Sequence, residues 1–154
     1  MNHLQPSGLS LARLDPSDER DIRQWYQLRC AVRAADQPAD PPPCWVNELG
    51  GFRHPWPGEQ RSVWLAWMDG SVVGGCELSL PTLDNPHNAG GDVLVAPRHR
   101  RRGISRALLE HLRAEATGAG RIRLVSGGWS GRWTPPRPIP RERSRPPPER
   151  FRRW

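Results

Sequence analysis

A chain of 154 residues sets the expectation of a single domain, and no stretch of it approaches the roughly 18 consecutive apolar residues of a membrane span. All 23 basic residues are arginine, against 16 acidic ones, but Met1 to Ser126 carries 15 arginines and 14 acids whereas Gly127 to Trp154 carries 8 and 2, so the net +7 belongs to the tail. Three widely spaced cysteines, Cys30, Cys44 and Cys76, with no C-x-x-C pair, argue against a disulfide framework and against zinc, and no other metal-ligand cluster stands out.

Leu9, Ala12 and Leu14 alternate loosely within Gly8 to Leu14 and suggest a first strand, closed by Asp15-Pro16. Ser17 then reads as a helix N-cap, with Asp18, Glu19 and Asp21 in the first turn where carboxylates suit the helix dipole. That helix runs to about Ala35. Prolines at 38, 41, 42 and 43 make Asp36 to Pro43 a loop. A short helix over Trp45 to Leu49 follows, and Gly50 to Gln60 is expected to be irregular. Val63 to Met68 and Ser71 to Leu78 flank Asp69-Gly70, a strong hairpin signal, and Gly74-Gly75 within the second strand suggests a bulge or a close approach of another backbone. After a polar loop over Pro81 to Asn88, the strand Asp92 to Ala96 enters a basic turn, and Ile104, Ala107, Leu108 and Leu112 recur at helical spacing to about Thr117. Gly118 and Gly120 stop that helix, and Arg121 to Val125 is a last strand.

The turn carries the clearest chemistry. Four of the five residues from Arg98 to Arg102 are arginine, Gly103 gives the backbone room to turn, and a helix begins at once. The first N–H groups of a helix lack internal partners and sit at the positive end of its dipole, so an anion fits there. Strand, basic turn and helix together resemble the cofactor loop of the GNAT acyltransferase superfamily, whose pattern of Arg or Gln, two residues, Gly, one residue, then Gly or Ala is held here by Arg100, Gly103 and Ser105. Ser105 departs from the pattern but is still small.

The resemblance covers about residues 8 to 126 and implies an α+β fold with a mixed sheet, in the order β-α-α-β-β-β-α-β. It implies acetyl-CoA as cosubstrate and transfer of its acyl group to an amine. The main-chain amides from Arg101 to Ser105, including Arg102 and Ile104, would wrap the pyrophosphate. Leu94 and Val95 would pair with the pantetheine arm in a cleft where their strand bends away from the next. A base must free the amine of its proton, and Asp92 and Glu77 are the available carboxylates. The only tyrosine, Tyr26, reads as a packing residue of the first helix, and His87 as a loop residue that could line an acceptor site.

Family members continue past the last strand into a further helix and two strands. Gly127 to Trp154, with 8 arginines, 7 prolines and no apolar periodicity, cannot supply them and is expected to be a disordered tail, the product of truncation or of a shifted reading frame. The chain thus divides into a domain over 1–126 and a tail over 127–154. Losing those elements would leave the last strand as an exposed edge that invites self-association. The alternative function is a non-catalytic CoA-binding or nucleic-acid-binding protein that uses the tail's arginines and tryptophans. A cytoplasmic location is expected, since Met1 to Ser10 lacks the basic start and apolar core of a signal peptide.

Overall fold

A computed structural model describes residues 6–126; the expectations for the tail lie outside them. The elements are β1 (Ser10–Arg13), α1 (Glu19–Asp36), α2 (Trp45–Arg53), β2 (Glu59–Met68), β3 (Ser71–Pro81), β4 (Asn88–Val95), a single 3₁₀ turn over Pro97–His99, α3 (Ile104–Gly118) and β5 (Arg123–Val125). The order is the expected one. The strands form one sheet in sequence order, antiparallel from β1 to β4, with β5 parallel to β4.

Strand alternation sends side chains to two faces, and each face is covered. On one, Trp64, Ala66, Val73, Cys76 and Leu78 meet Ile104, Leu108, Leu112 and Ala116 of α3. On the other, Val63 and Leu65 meet Ile22, Trp25 and Leu28 of α1, with α2 packed alongside. The glycine pair of β3 lets both helices in. A methyl at Gly74 would stand 2.8 Å from the Leu94 carbonyl and 3.2 Å from Ile104, and one at Gly75 would stand 2.8 Å from the Trp64 carbonyl and 2.9 Å from Trp25. The ladder also slips by one residue between Ala66 and Trp67, beside Gly74, so a bulge accompanies the close approach.

Several boundaries differ from the sequence reading. Asp18, not Ser17, caps α1, accepting from Arg20 N–H at 2.8 Å, while Ser17 bonds the Asp15 carboxylate. Helix α2 runs through Gly50-Gly51 to Arg53, because Trp45, Leu49 and Phe52 form an i, i+4, i+7 stripe against the α1-side core that outweighs the poor helix propensity of glycine. β2 starts at Glu59 instead of Val63, β4 at Asn88 instead of Asp92, and β5 at Arg123 instead of Arg121. The early start of β4 has a packing cause: a methyl at Gly91 would stand 3.0 Å from Leu124 and 3.1 Å from Leu112. Only glycine lets β5 and α3 close on the strand there. The hairpin behaves as expected, with φ of 49° at Asp69 and 75° at Gly70, as a primed turn requires.

Candidate active site

β5 pairs with β4 only from Asn88 to Gly90. Beyond Gly90, β4 keeps its partner β3 on one side and has no strand on the other among the described residues. A cavity of about 1040 Å³ opens there, bounded by the C-terminal half of α1, the second half of β4 and the start of α3.

The ladder phase decides which main-chain groups face the opening. Ala96 N–H donates to Val73 O at 2.9 Å, and alternation then turns the main-chain groups of Leu94 and Asp92 toward β3 and those of Val93 and Val95 toward the open side. The expected pair Leu94 and Val95 is therefore split. Leu94 packs its side chain with the α1-side core, and the Val95 carbonyl, on the open side, accepts from Arg100 Nε at 3.4 Å.

At one end of the cavity the chain turns through Arg101 (φ 65°) and Gly103 (φ 81°) into α3. Gly103 is the N-cap and supplies no side-chain hydrogen bond, and the first turn of α3 carries no acid, so the N–H groups are left to a ligand. A methyl at Gly103 would meet only Pro6, at 3.8 Å; the backbone twist requires glycine there, and the surroundings are open. Arg101, Gly103, Ile104 and Ser105 line the cavity, but Arg102 does not. Ile104 buries its side chain under Gly74 and offers only its main chain. Arg100 points sideways, forking onto both Asp36 oxygens at 2.7 and 3.0 Å, and its hydrogen bonds hold the Asp36 carboxyl below the usual range.

The other end is acidic. Asp92 faces Glu77 across the β3–β4 ladder, and both line the cavity. Burial, then the Glu77 charge, raises the Asp92 pKa, while Arg29 pulls it back. Glu77 is held by Arg61, whose Nε and Nη2 donate to Glu77 Oε1 and Oε2, each at 2.9 Å. Arg61 Nη2 also reaches Glu48 Oε1 at 3.1 Å; that oxygen accepts from Trp25 Nε1 at 3.2 Å, and Glu48 Oε2 accepts from Arg29. Burial would weaken the Arg61 guanidinium's hold on its proton, but Glu77 and Glu48 raise it above the ordinary value. Glu48 is buried, and two cations and an indole compensate it.

The two carboxylates singled out by sequence are thus brought together with different surroundings. Glu77 is tied by a fork, whereas Asp92 carries the surplus charge of the group formed with Glu48, Glu77, Arg29 and Arg61. Arg29, Asp36, Glu48 and Arg61 were not anticipated. Only the i, i+4 spacing of Trp25 and Arg29 hinted at a shared face; Glu48 lies in the short helix expected over Trp45 to Leu49, and Arg61 directly follows the stretch read as irregular. Tyr26 packs edge-on to Trp45 at 5.2 Å and donates at 3.2 Å to the carbonyl of Pro43, a residue that lines the cavity, whereas Tyr26 itself does not line it. The His87 carbonyl accepts from Ile122 N at 3.0 Å, and its ring does not line the cavity. The cysteines are free, and burial pushes the Cys76 thiol up to about 12. Among the described residues no group of three or more potential ligands could hold a metal, and no helix is long and apolar enough to cross a membrane.

Residues 20–127 match the model of the acetyltransferase (GNAT) family. The chain belongs to the GNAT family. Its fold is that of GNAT structures, and acetyl-CoA is the family's cosubstrate. A tandem GNAT protein from the clavulanic acid biosynthesis pathway, solved without acetyl-CoA, is 35% identical with a TM-score of 0.68. That match covers 77% of this chain and 36% of the tandem protein, so this GNAT chain spans about a third of that protein's length. An aminoglycoside acetyltransferase from an uncultured soil metagenomic sample, in complex with sisomicin, is 18% identical with a TM-score of 0.61, over 77% of this chain and 76% of the other. The Salmonella typhimurium protein yncA, solved with its cofactor acetyl-CoA, is 19% identical with a TM-score of 0.62, over 78% and 69% of the two chains. At these identities the last two establish the fold alone. No curated protein matches the chain.

Proposed function

We propose that this chain transfers the acyl group of acetyl-CoA to an amine, with the cofactor along the open side of β4 and Asp92 as the base. The observation that carries the reading is the parting of β4 from β5 after Gly90, which joins a free strand edge to an uncapped helix start in one cavity.

The residues fit the cosubstrate. Main-chain N–H groups from Arg101 to Ser105 suit a pyrophosphate, and the arginines around them add positive field. The outward main-chain groups of Val93 and Val95 suit the amides of a pantetheine arm, pairing as a further strand would. Bound acetyl-CoA supplies an acyl group activated as a thioester. Asp92, at the acidic end, takes a proton from the incoming ammonium so that the nitrogen lone pair forms the C–N bond at the thioester carbonyl; the C–S bond then breaks, and CoA leaves as a thiolate that takes up the further proton lost by the amide nitrogen. Its proton affinity, raised by burial and by Glu77, suits a general base better than that of an ordinary exposed carboxylate. Glu77, committed to Arg61, is the poorer candidate.

The test is thiol release from acetyl-CoA by the full chain against a panel of primary amines. Amine-dependent release that falls roughly 100-fold or more in Asp92→Asn supports the assignment. Release that no amine accelerates would count against it.

Association through β5 is part of the same reading, since β5 ends the sheet order and Ile122 beside it is 85% exposed. Light scattering that rises with concentration, and that Ile122→Arg suppresses, is the expected result; a monomer at all concentrations contradicts it.

A further inference from the structure

Glu77 and Asp92 sit side by side on β3 and β4, and Arg61 of β2 lies diagonal to them, on the same face but two residues along from Val63, which pairs with Glu77. Asp92 and Glu77 are direct partners in the antiparallel β3–β4 ladder and point to the same face, toward α1. Directly opposed side chains on one face have Cβ atoms only about 5 Å apart, so two ionised carboxylates there repel. Arg61, from β2, reaches across and forks onto Glu77, with 2.9 Å to each oxygen. Its position is itself fixed, because its guanidinium stacks on the Phe52 ring at 4.2 Å and shares Nη2 with the buried Glu48.

We infer that Glu77 and Arg61 are positioning residues that set the proton affinity of Asp92, the one raising it by its charge and the other limiting that rise by neutralising it. The inference rests on the proposed role of Asp92 as base and deepens it.

Burial raises the proton affinity of Asp92 most, and among the charged groups this pair acts alongside Arg29. From α1, Arg29 faces Asp92 and lowers its proton affinity while also pairing with Glu48 of α2, an influence that neither substitution at Glu77 nor one at Arg61 removes. Higher on α1, Arg33 pairs with Asp40 and Asp36 with Arg100, and both pairs are close to neutral as units. β5 stops pairing with β4 at Gly90, two residues short of Asp92. A fixed charge beside a carboxylate moves its titration by about one to three pH units, so removing either member leaves a readable shift. The two shifts have opposite signs. Without Arg61, Glu77 acts on Asp92 uncompensated and Asp92 holds its proton to higher pH. With Glu77 neutral, Asp92 loses its proton at lower pH.

The experiment is a pH titration of the Asp92 carboxyl carbon by NMR in the full chain, with the signal assigned by its loss in Asp92→Asn. Wild type, Arg61→Gln, Glu77→Gln and the double variant are compared. The expected shifts are about one pH unit up in Arg61→Gln, about one down in Glu77→Gln, and a return toward wild type in the double variant. If Arg61→Gln fails to fold, Glu77→Gln, which keeps Arg61 on Glu48, carries the test alone. Coincident titrations, or shifts of the same sign, overturn the inference. The readout needs no turnover: opposite shifts in a chain that acetylates nothing would uphold the tuning and refute the base role. Where turnover is found, the acid limb of its pH profile must move with the NMR titration.

Discussion

Arg100 and Asp36, 64 residues apart, are joined by a two-pronged ion pair with contacts of 2.7 and 3.0 Å. The pair fastens the basic turn to the end of α1, and it diverts to a carboxylate the side chain that the loop pattern would lead one to aim at phosphate. Arg100 then holds the shape of the basic turn. Both Arg100→Met and Asp36→Asn should weaken acetyl-CoA binding, by about fivefold. Asp36→Asn separates the two roles, because it frees a cation while loosening the loop. Tighter binding in that variant, measured by calorimetry, would show that Arg100 acts directly on phosphate.

The same pair has a pH signature. Asp36 titrates below its ordinary value of 3.8, so its contribution to stability is whole above that value and is lost as pH falls through the lower, folded one. The melting-temperature gap between wild type and Asp36→Asn should be open at neutral pH and close as pH falls below 3.8. A gap that persists unchanged in acid contradicts this assignment.

Gly75 is pinched between the Trp64 carbonyl and the Trp25 ring, at 2.8 and 2.9 Å from an added methyl, whereas Gly90 would meet Ser79 at an ordinary 3.5 Å. Gly75→Ala should cost about 1–3 kcal/mol by overpacking. Gly90→Ala should leave the unfolding free energy, measured by denaturant titration, within about 0.5 kcal/mol of wild type. Equal effects would mean that α1 can withdraw from the sheet at little cost.

Much of the fold was legible because local signals and burial agree. Asp69-Gly70 between β-prone runs, the glycine stops after α3 and the period of Ile104, Ala107, Leu108 and Leu112 each have one physical reading. Failures occurred where packing overrules propensity. Gly50-Gly51 does not look helical, and Gly90-Gly91 does not look like a strand; their neighbours Phe52, Leu112 and Leu124 decide both. The basic turn and the helix start after it could be read because their parts are contiguous in the chain. At the acidic end only Glu77 and Asp92 could be singled out and their grouping could not, since Arg29, Glu48, Arg61, Glu77 and Asp92 come from five elements and only the sheet order and the docking of α2 bring them together.

The cysteines differ in reach. Cys44 is exposed and Cys76 is buried with its thiol pushed up to about 12, so it stays protonated and inert in the folded chain. An aromatic disulfide reagent should modify Cys44 promptly and Cys76 only upon unfolding. Prompt labelling of Cys76, read by peptide mass, would mean that the α3-side core opens readily.

The central claim is that the uncapped start of α3 holds the cofactor's pyrophosphate. Gly103→Asp puts a side chain on a left-handed backbone position and a negative charge among the waiting N–H groups. Calorimetric titration of the folded chain with acetyl-CoA tests this directly. Saturable binding in wild type that falls at least tenfold, or disappears, in Gly103→Asp with an unchanged melting transition is the expected result; no heat in wild type, or equal affinity in both, contradicts the claim.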